Sequence, residues 1–281
     1  MNPIGVNTFV WYSPVTDADV AVVAPKVKAM GFDWLELPVE NPGDWDPART
    51  AEVLAEHGLR ASVCAAMGPG RDLTDPATVE ATKGYVTYCI DALAALGGGP
   101  VVGPIYTPVG KTWRMDAAER KATVARLVEA LKPLGDYAGE RGVALAIEPL
   151  NRFETSFLNT AEQVMEVVHA VGNEHVGVLL DTFHMNVEEK DQAAAIRLVG
   201  DRLYHFHACG SDRGAPGQDH VAWPEIVAAL KDVGYRGGVV IESFTPDNDT
   251  IARAAAIWRP LAASEDALAQ EGLAFLKRAF A

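Results

Sequence analysis

The chain has 281 residues, 49% of them hydrophobic, and its 24 Lys+Arg against 38 Asp+Glu give a formal net charge of −14. So apolar a chain buries a large core and is no disordered acidic tail. The charge argues against a nucleic-acid partner, which requires a basic stripe, and equally disfavours an anionic membrane surface.

In chain order, short apolar runs rich in β-branched residues alternate with amphipathic stretches. The predicted strands are IGVNTFVW (4–11), WLELPV (34–39), RASVCAAM (60–67) and VVGPIY (101–106), then ALAIEPL (144–150), VGVLLDT (176–182), LYHFHAC (203–209) and GVVIESF (238–244). Between them, Val20, Val23, Val27 and Met30 recur at helical spacing, as do Val124, Leu127, Val128, Leu131 and Leu134, and Val164, Val167, Val168 and Val171. Thr160 with Gln163 forms a capping-box pattern. A glycine stands near each helix-to-strand passage: Gly31, Gly58, Gly97, Gly142, Gly172, Gly200 and Gly234. Seven passages link eight strands, so the expected fold is α/β, a (β/α)8 TIM barrel in one domain spanning 1–281. A doubly wound sheet is the runner-up, but the first strand leads into no Gly-rich phosphate loop. The segment from about Asp249 onward reads as mostly helical.

Two further features bear on the compartment. Cys64, Cys89 and Cys209 form no C-x-x-C pair and are odd in number, as expected for reduced thiols in a cytoplasm. The start lacks a basic n-region, its first Lys being Lys26, so no signal peptide is expected. The uncharged stretch 92–110 carries GGGP and two more prolines, which reads as helix end, turn and strand and not as a membrane span.

In a barrel, chemistry gathers at the C-terminal ends of the strands. There the fifth strand carries Glu148, the sixth ends in Asp181 with His184 three residues on, the seventh carries His205 and His207, and the eighth Glu242. One such residue alone is most simply a rim or salt-bridge group. Four consecutive strand ends with ionisable groups point to a site, because buried lone carboxylates are costly unless paired or cation-bound. Three carboxylates with one imidazole suit Mn2+, Mg2+ or Co2+. His205 and His207 are two apart and can face the same way, so spacing does not choose between them. Asp181 also fits a helix cap. Cys209 is a poor partner for so hard a donor set. Trp11, Trp113 and Phe244 are by default packing residues, placed where they can also wall a pocket.

At these residues the sequence resembles a known family. IEPLNRFET (147–155), LLDTFHMN (179–186), HFHACGSDRGAPG (205–217) and VVIESF (239–244) are similar to segments of the ketose 3-epimerases, within the xylose-isomerase-like sugar isomerases and epimerases. The similarity runs from the first strand to Trp258 and Arg259. It implies that Glu148, Asp181, His207 and Glu242 bind the metal, Mn2+ above Co2+ or Mg2+, and that Glu148 and Glu242 are catalytic. It implies substrate contacts from Glu154, His184, Arg213, Trp113 and Phe244. The family commonly has a Glu three residues after the metal-binding His; Gly210 stands here, which should open space or remove an acceptor near Arg213. Pro149 and Leu150 also replace the usual pair of valines.

The reaction so implied is inversion at C3 of a free ketose such as D-tagatose, D-fructose, D-allulose or L-ribulose, through a cis-enediolate. The alternative is an aldose–ketose or hydroxypyruvate-type isomerase of the same superfamily. A phosphosugar enzyme needs more cationic groups than Arg213 and Arg152 near the motifs. A DNA-repair barrel needs a basic rim, and a barrel that binds sugar without turning it over needs neither glutamate. The expected partners are a small ketose and further copies of the chain, as a homodimer or homotetramer.

Overall fold

The structure, a computed structural model, describes residues 2–246 and 249–281. Eight strands close into one parallel barrel in sequence order: β1 (Ile4–Asn7), β2 (Trp34–Val39), β3 (Arg60–Ala65), β4 (Gly99–Gly103), β5 (Val143–Ile147), β6 (Val176–Asp181), β7 (Leu203–His207) and β8 (Val239–Ile241). The seam is the β1–β8 pair, with Ile4 opposite Val239 and Val6 opposite Ile241. A closed sheet faces a packed interior on one side and helices on the other, so its strands read as continuous apolar runs. Every residue of β2, β6 and β8 is buried. Backbones also approach closely here: a Cβ on Gly5 would stand 2.7 Å from the Cβ of Trp34.

The outer ring is α1 (Asp17–Met30), α2 (Pro47–His57), α3 (Val79–Ala95), α4 (Ala117–Glu140), α5 (Ala161–Val171), α6 (Thr182–Glu188), α7 (Gln192–Val199) and α8 (Trp223–Asp232). After β8 come α9 (Asp249–Ala254) and α10 (Glu265–Ala279), bearing out the helical tail. The periodic valines are the inner faces: Val20, Val23 and Val27 of α1 and Val164, Val167, Val168 and Val171 of α5 are all buried. All seven passage glycines have positive φ. Gly31 (φ 99°) and Gly58 (φ 58°), for example, end α1 and α2 in the left-handed region that glycine reaches without a Cβ clash.

Every strand but the second differs from the sequence reading in at least one boundary, and three of these differences bear on the site. The first strand stops at Asn7, whose side chain accepts from the Phe9 N–H and starts a 3-10 turn at Thr8–Val10. The fifth and eighth strands stop at Ile147 and Ile241, so Glu148 and Glu242 sit just beyond the ladder. The box at Thr160 is half made: Thr160 accepts from the Gln163 N–H, but Gln163 Oε1 accepts from the Asn159 N–H. A complete box stands instead at Thr16 and Asp19. The three cysteines are free and buried. Among the described residues, no helix is long and apolar enough to cross a membrane.

Candidate functional site

The barrel mouth gathers the four residues expected to bind a cation. Glu148 follows β5, and its N–H donates to Gly103 O at 3.0 Å, extending the β4–β5 ladder by one step. Asp181 and His207 are the last residues of β6 and β7, and Glu242 follows β8. Their exposures are 4%, 1%, 0% and 6%. One ligand atom from each of the four lies within 4.8 Å of the other three. The two readings of Asp181 coexist: Oδ1 accepts from the Phe183 N–H at 2.8 Å and caps α6, while Oδ2 faces the cluster.

The electrostatics are those of an over-filled anion site. Burial, then the neighbouring charge of Glu242, pushes Glu148 well above the usual carboxylate range. Burial likewise raises Asp181, against the pull of Arg213. For Glu242 burial is outweighed by His207 and Arg213, which hold it below its ordinary value. Burial would lower His207, but Glu36 and Glu242 carry it well above. His184 is pushed well down by burial, and then by Arg213 and His207.

Glu148 Oε1 and His207 Nδ1 are buried without a hydrogen-bond partner. Two orphaned acceptor-type atoms beside two more carboxylates fit a divalent cation with hard, mostly oxygen donors. Cys209 does not join them. Its thiol is pushed well up by burial and by Asp181, and it stands 3.5 Å from Asp181 Oδ1 as a donor. Two other groupings, Glu36 with His205 and His207, and Glu36 with Cys64 and Glu242, also bring ligand atoms together. In both, the Glu36 oxygens already accept from Asn7 and Ser62.

Arg213 closes the cluster. Its Nη1 lies 2.5 Å from Asp181 Oδ2 and 3.0 Å from Glu242 Oε2, and Nη2 lies 2.9 Å from His184 Nε2. The guanidinium rests over the rings of Phe183 and Phe244. Its backbone has φ 68°, a region that costs a non-glycine residue roughly 1 kcal/mol. A tight loop imposes it, with Gly210 N–H donating to Gly214 O at 2.8 Å and Arg213 N–H to Gly210 O at 3.0 Å. Gly210 opens no space: a Cβ there would stand 3.1 Å from Ala215 O and 3.2 Å from Gly214 O. The other expectation is the one compatible with the geometry, since Arg213 takes its acceptors from Asp181 and Glu242.

A cavity of about 610 Å3 opens over the cluster. Glu148, Glu154, His184, Arg213, Glu242 and Phe244 line it. His184 is oriented by the Asn151 N–H, which donates to Nδ1 at 3.1 Å, and Glu154 accepts from the Asn151 amide at 2.8 Å. Trp113 is not among the lining residues. The β4–α4 loop turns it onto Phe157 and under Lys111, with its N–H given to Ser156 Oγ. Arg152 points away too, clamped by Glu188 at 2.9 and 3.0 Å.

The sequence reading missed the opposite wall: Phe9, Glu40, Cys64, Met67 and Arg71. These come from β1–β3 and their loops, and only barrel closure brings them to the site. It also missed Glu36, although a charged residue inside the apolar run WLELPV was a visible signal.

The comparisons with known proteins bear on the family and the fold. Residues 24–279 match the family model of the xylose isomerase-like TIM barrel. The chain is 32% identical to a ketose 3-epimerase of Arthrobacter globiformis, covering 98% of this chain and 95% of that one. It is 31% identical to an L-ribulose 3-epimerase of a Methylomonas species, with 98% and 97% covered. A crystal structure of D-allulose 3-epimerase from Methylomonas superposes with a TM-score of 0.92 at 31% identity, over 99% of this chain and 98% of that one. The chain belongs to the xylose isomerase-like TIM barrel family, in its ketose 3-epimerase group.

Proposed function

From that membership we propose that the protein is a metal-dependent isomerase that inverts C3 of free, unphosphorylated ketoses, with Glu148, Asp181, His207 and Glu242 holding the cation. The observation that carries the reading is the pairing of Glu148 and Glu242. They stand in one buried cluster at the ends of strands three apart in the barrel order. A divalent cation bound there supplies Lewis-acid stabilisation of the negative charge that develops on the sugar oxygens, and Mn2+, with Co2+ and Mg2+ behind it, suits the donors.

The protein's own groups do the rest. Inversion needs a proton taken from one face of C3 and one returned to the other, hence two acid–base groups approaching from two flanks. Glu148 and Glu242 are split in the direction such work requires, one pushed up and one held down. His184, kept neutral by burial, and Arg213 reach the hydroxyl and carbonyl oxygens. Glu154 offers a carboxylate at the rim, and Phe244 gives the sugar an apolar wall. Preference for an unphosphorylated sugar is supported by the two guanidiniums lining the cavity. Arg213 is neutralised by Asp181 and Glu242, and Arg71 is spent on the carbonyls of Ala66 and Glu40 and the ring of Tyr85.

Incubation with Mn2+ and D-fructose, D-tagatose or L-ribulose in D2O tests the reading. Deuterium is expected at C3 of the recovered ketose. Label confined to C1 or C2 would replace it with the isomerase alternative.

A further inference from the structure

Behind the cluster lies a further buried carboxylate that the reaction does not use. Glu36 sits in the middle of β2 with no exposed surface. Four side chains from three other strands converge on it. Asn7 Nδ2 donates to Oε1 at 2.8 Å, and Ser62 Oγ donates to Oε2 at 2.6 Å. His207 Nε2 stands 2.9 Å from Oε1 and His205 Nε2 stands 2.9 Å from Oε2. Ser62 is itself fixed by the Trp34 indole N–H at 2.9 Å. A carboxylate offers about four acceptor sites, and here each oxygen has two neighbours of donor type.

His207 therefore faces two ways. Its Nε2 side meets Glu36. Its Nδ1 side looks at Glu242 Oε2, 3.3 Å away, and Glu148 Oε1, 4.0 Å away; neither ring nitrogen meets full hydrogen-bond geometry, so the Glu36 contact is one of short distance and opposite charge. An imidazole has one lone-pair nitrogen when neutral, and which one is set by what the other nitrogen donates to.

We propose that Glu36 is a positioning residue for the cation site: its Oε1 accepts the Nε2 proton of His207, which leaves Nδ1 as the donor atom and aims it among Glu148, Asp181 and Glu242. Asn7, Ser62 and His205 hold the Glu36 carboxylate at the required angle. The inference rests on the reading that the four-residue cluster binds a divalent cation. Outer partners of this kind strengthen and orient a ligating imidazole, and their loss typically costs ten- to a hundredfold in metal affinity.

The test is direct titration of the whole protein with Mn2+, following free Mn2+ by electron paramagnetic resonance, with the visible spectrum of the Co2+ form as a second readout. Glu36→Gln keeps the volume but cannot accept from both histidines. It is expected to weaken Mn2+ binding ten- to a hundredfold and to change the Co2+ spectrum. Ile226→Ala, buried on α8 and not among the residues lining the cavity, is the control for lost stability and should leave both readouts unchanged. Equal Mn2+ affinity in Glu36→Gln and wild type, or an equal loss in Ile226→Ala, overturns the inference. Should Glu36→Gln not fold, the Asn7→Ala/Ser62→Ala double variant decides: a loss of threefold or more supports the inference, and none overturns it. Wild-type protein that takes up no Mn2+ would overturn the cation reading itself, a result distinct from wild-type uptake that Glu36→Gln leaves unaltered.

Discussion

The two halves of the barrel use one plan for different ends. From β5 to β8 every strand delivers an ionisable group to the mouth: Glu148, Asp181, His207 and Glu242. From β1 to β4 the strands supply Asn7, Glu36 and Ser62 below, and the wall of Phe9, Cys64 and Arg71 beside the cavity. Local construction does not explain the difference, since both halves are strand, helix and glycine-ended turn. What differs is what each half is exposed to. Second-half groups face the cavity and one another, so their charges conflict. Asn7, Glu36 and Ser62 of the first half face inward and satisfy one another, with His205 and His207 of β7 beside them. Substitutions in the second half should therefore read out in turnover and cation binding, and those in the first half in stability and placement.

The largest expected effect tests that division most severely. Glu148→Gln and Glu242→Gln should each lower kcat for C3 inversion by about 10³-fold or more; the melting temperature of Glu148→Gln should be at or above wild type because a buried like-charge conflict is relieved, and that of Glu242→Gln below it because His207 and Arg213 lose a charged partner. A steady-state assay with thermal melts checks it, and retained turnover would dissolve the contrast. Next is the cation itself. EDTA should abolish turnover and added Mn2+ restore it. Burial raises the pKa values of Glu148 and Asp181. A raised folded value means stability that is present at low pH and lost as pH climbs through that value. A cation keeps these carboxylates ionised, so the rise in melting temperature on adding Mn2+ should grow from pH 5.5 to pH 8. A pH-independent rise would count against the assignment of ligands.

A smaller effect belongs to the first half. Asp72 is 5% exposed and pairs with Lys111 at 2.5 Å, tying the loop after β3 to the loop after β4. Lys111→Met should cost about 1–2 kcal/mol of stability, scaled down from a fully buried pair because Lys111 is 37% exposed. Denaturant unfolding measures this, and KM should stay within about twofold. The smallest effect is expected at Phe153, which lines the cavity yet is 77% exposed. Phe153→Ala should leave stability unchanged and raise KM by less than about threefold. A tenfold change would show that the ring folds down over the substrate.

The same asymmetry governed how much was legible beforehand. The eight strands were readable because both faces of a closed parallel sheet are buried, which writes uninterrupted apolar runs. Glu148, Asp181, His207 and Glu242 were readable together, because one ionisable residue at the end of such a run is most simply a rim or salt-bridge group but four consecutive strand ends are not. Choosing His207 over His205 required the resemblance; in the structure both rings reach Glu36, and only His207 also reaches the cluster. Glu36 passed unnoticed because its four partners lie on strands distant in sequence. The place of Trp113 was equally illegible, since it depends on how one loop folds over Phe157.

Asp181 spends one oxygen on starting a helix and the other on the charged cluster. Asparagine caps a helix as well as aspartate does, but brings no charge. The two duties are therefore separable by a single-atom exchange: Asp181→Asn keeps the architectural role and removes the electrostatic one, while Asp181→Ala removes both. The difference between those two proteins isolates what the α6 start contributes to holding His184 at the rim. This corner of the barrel carries its own internal control.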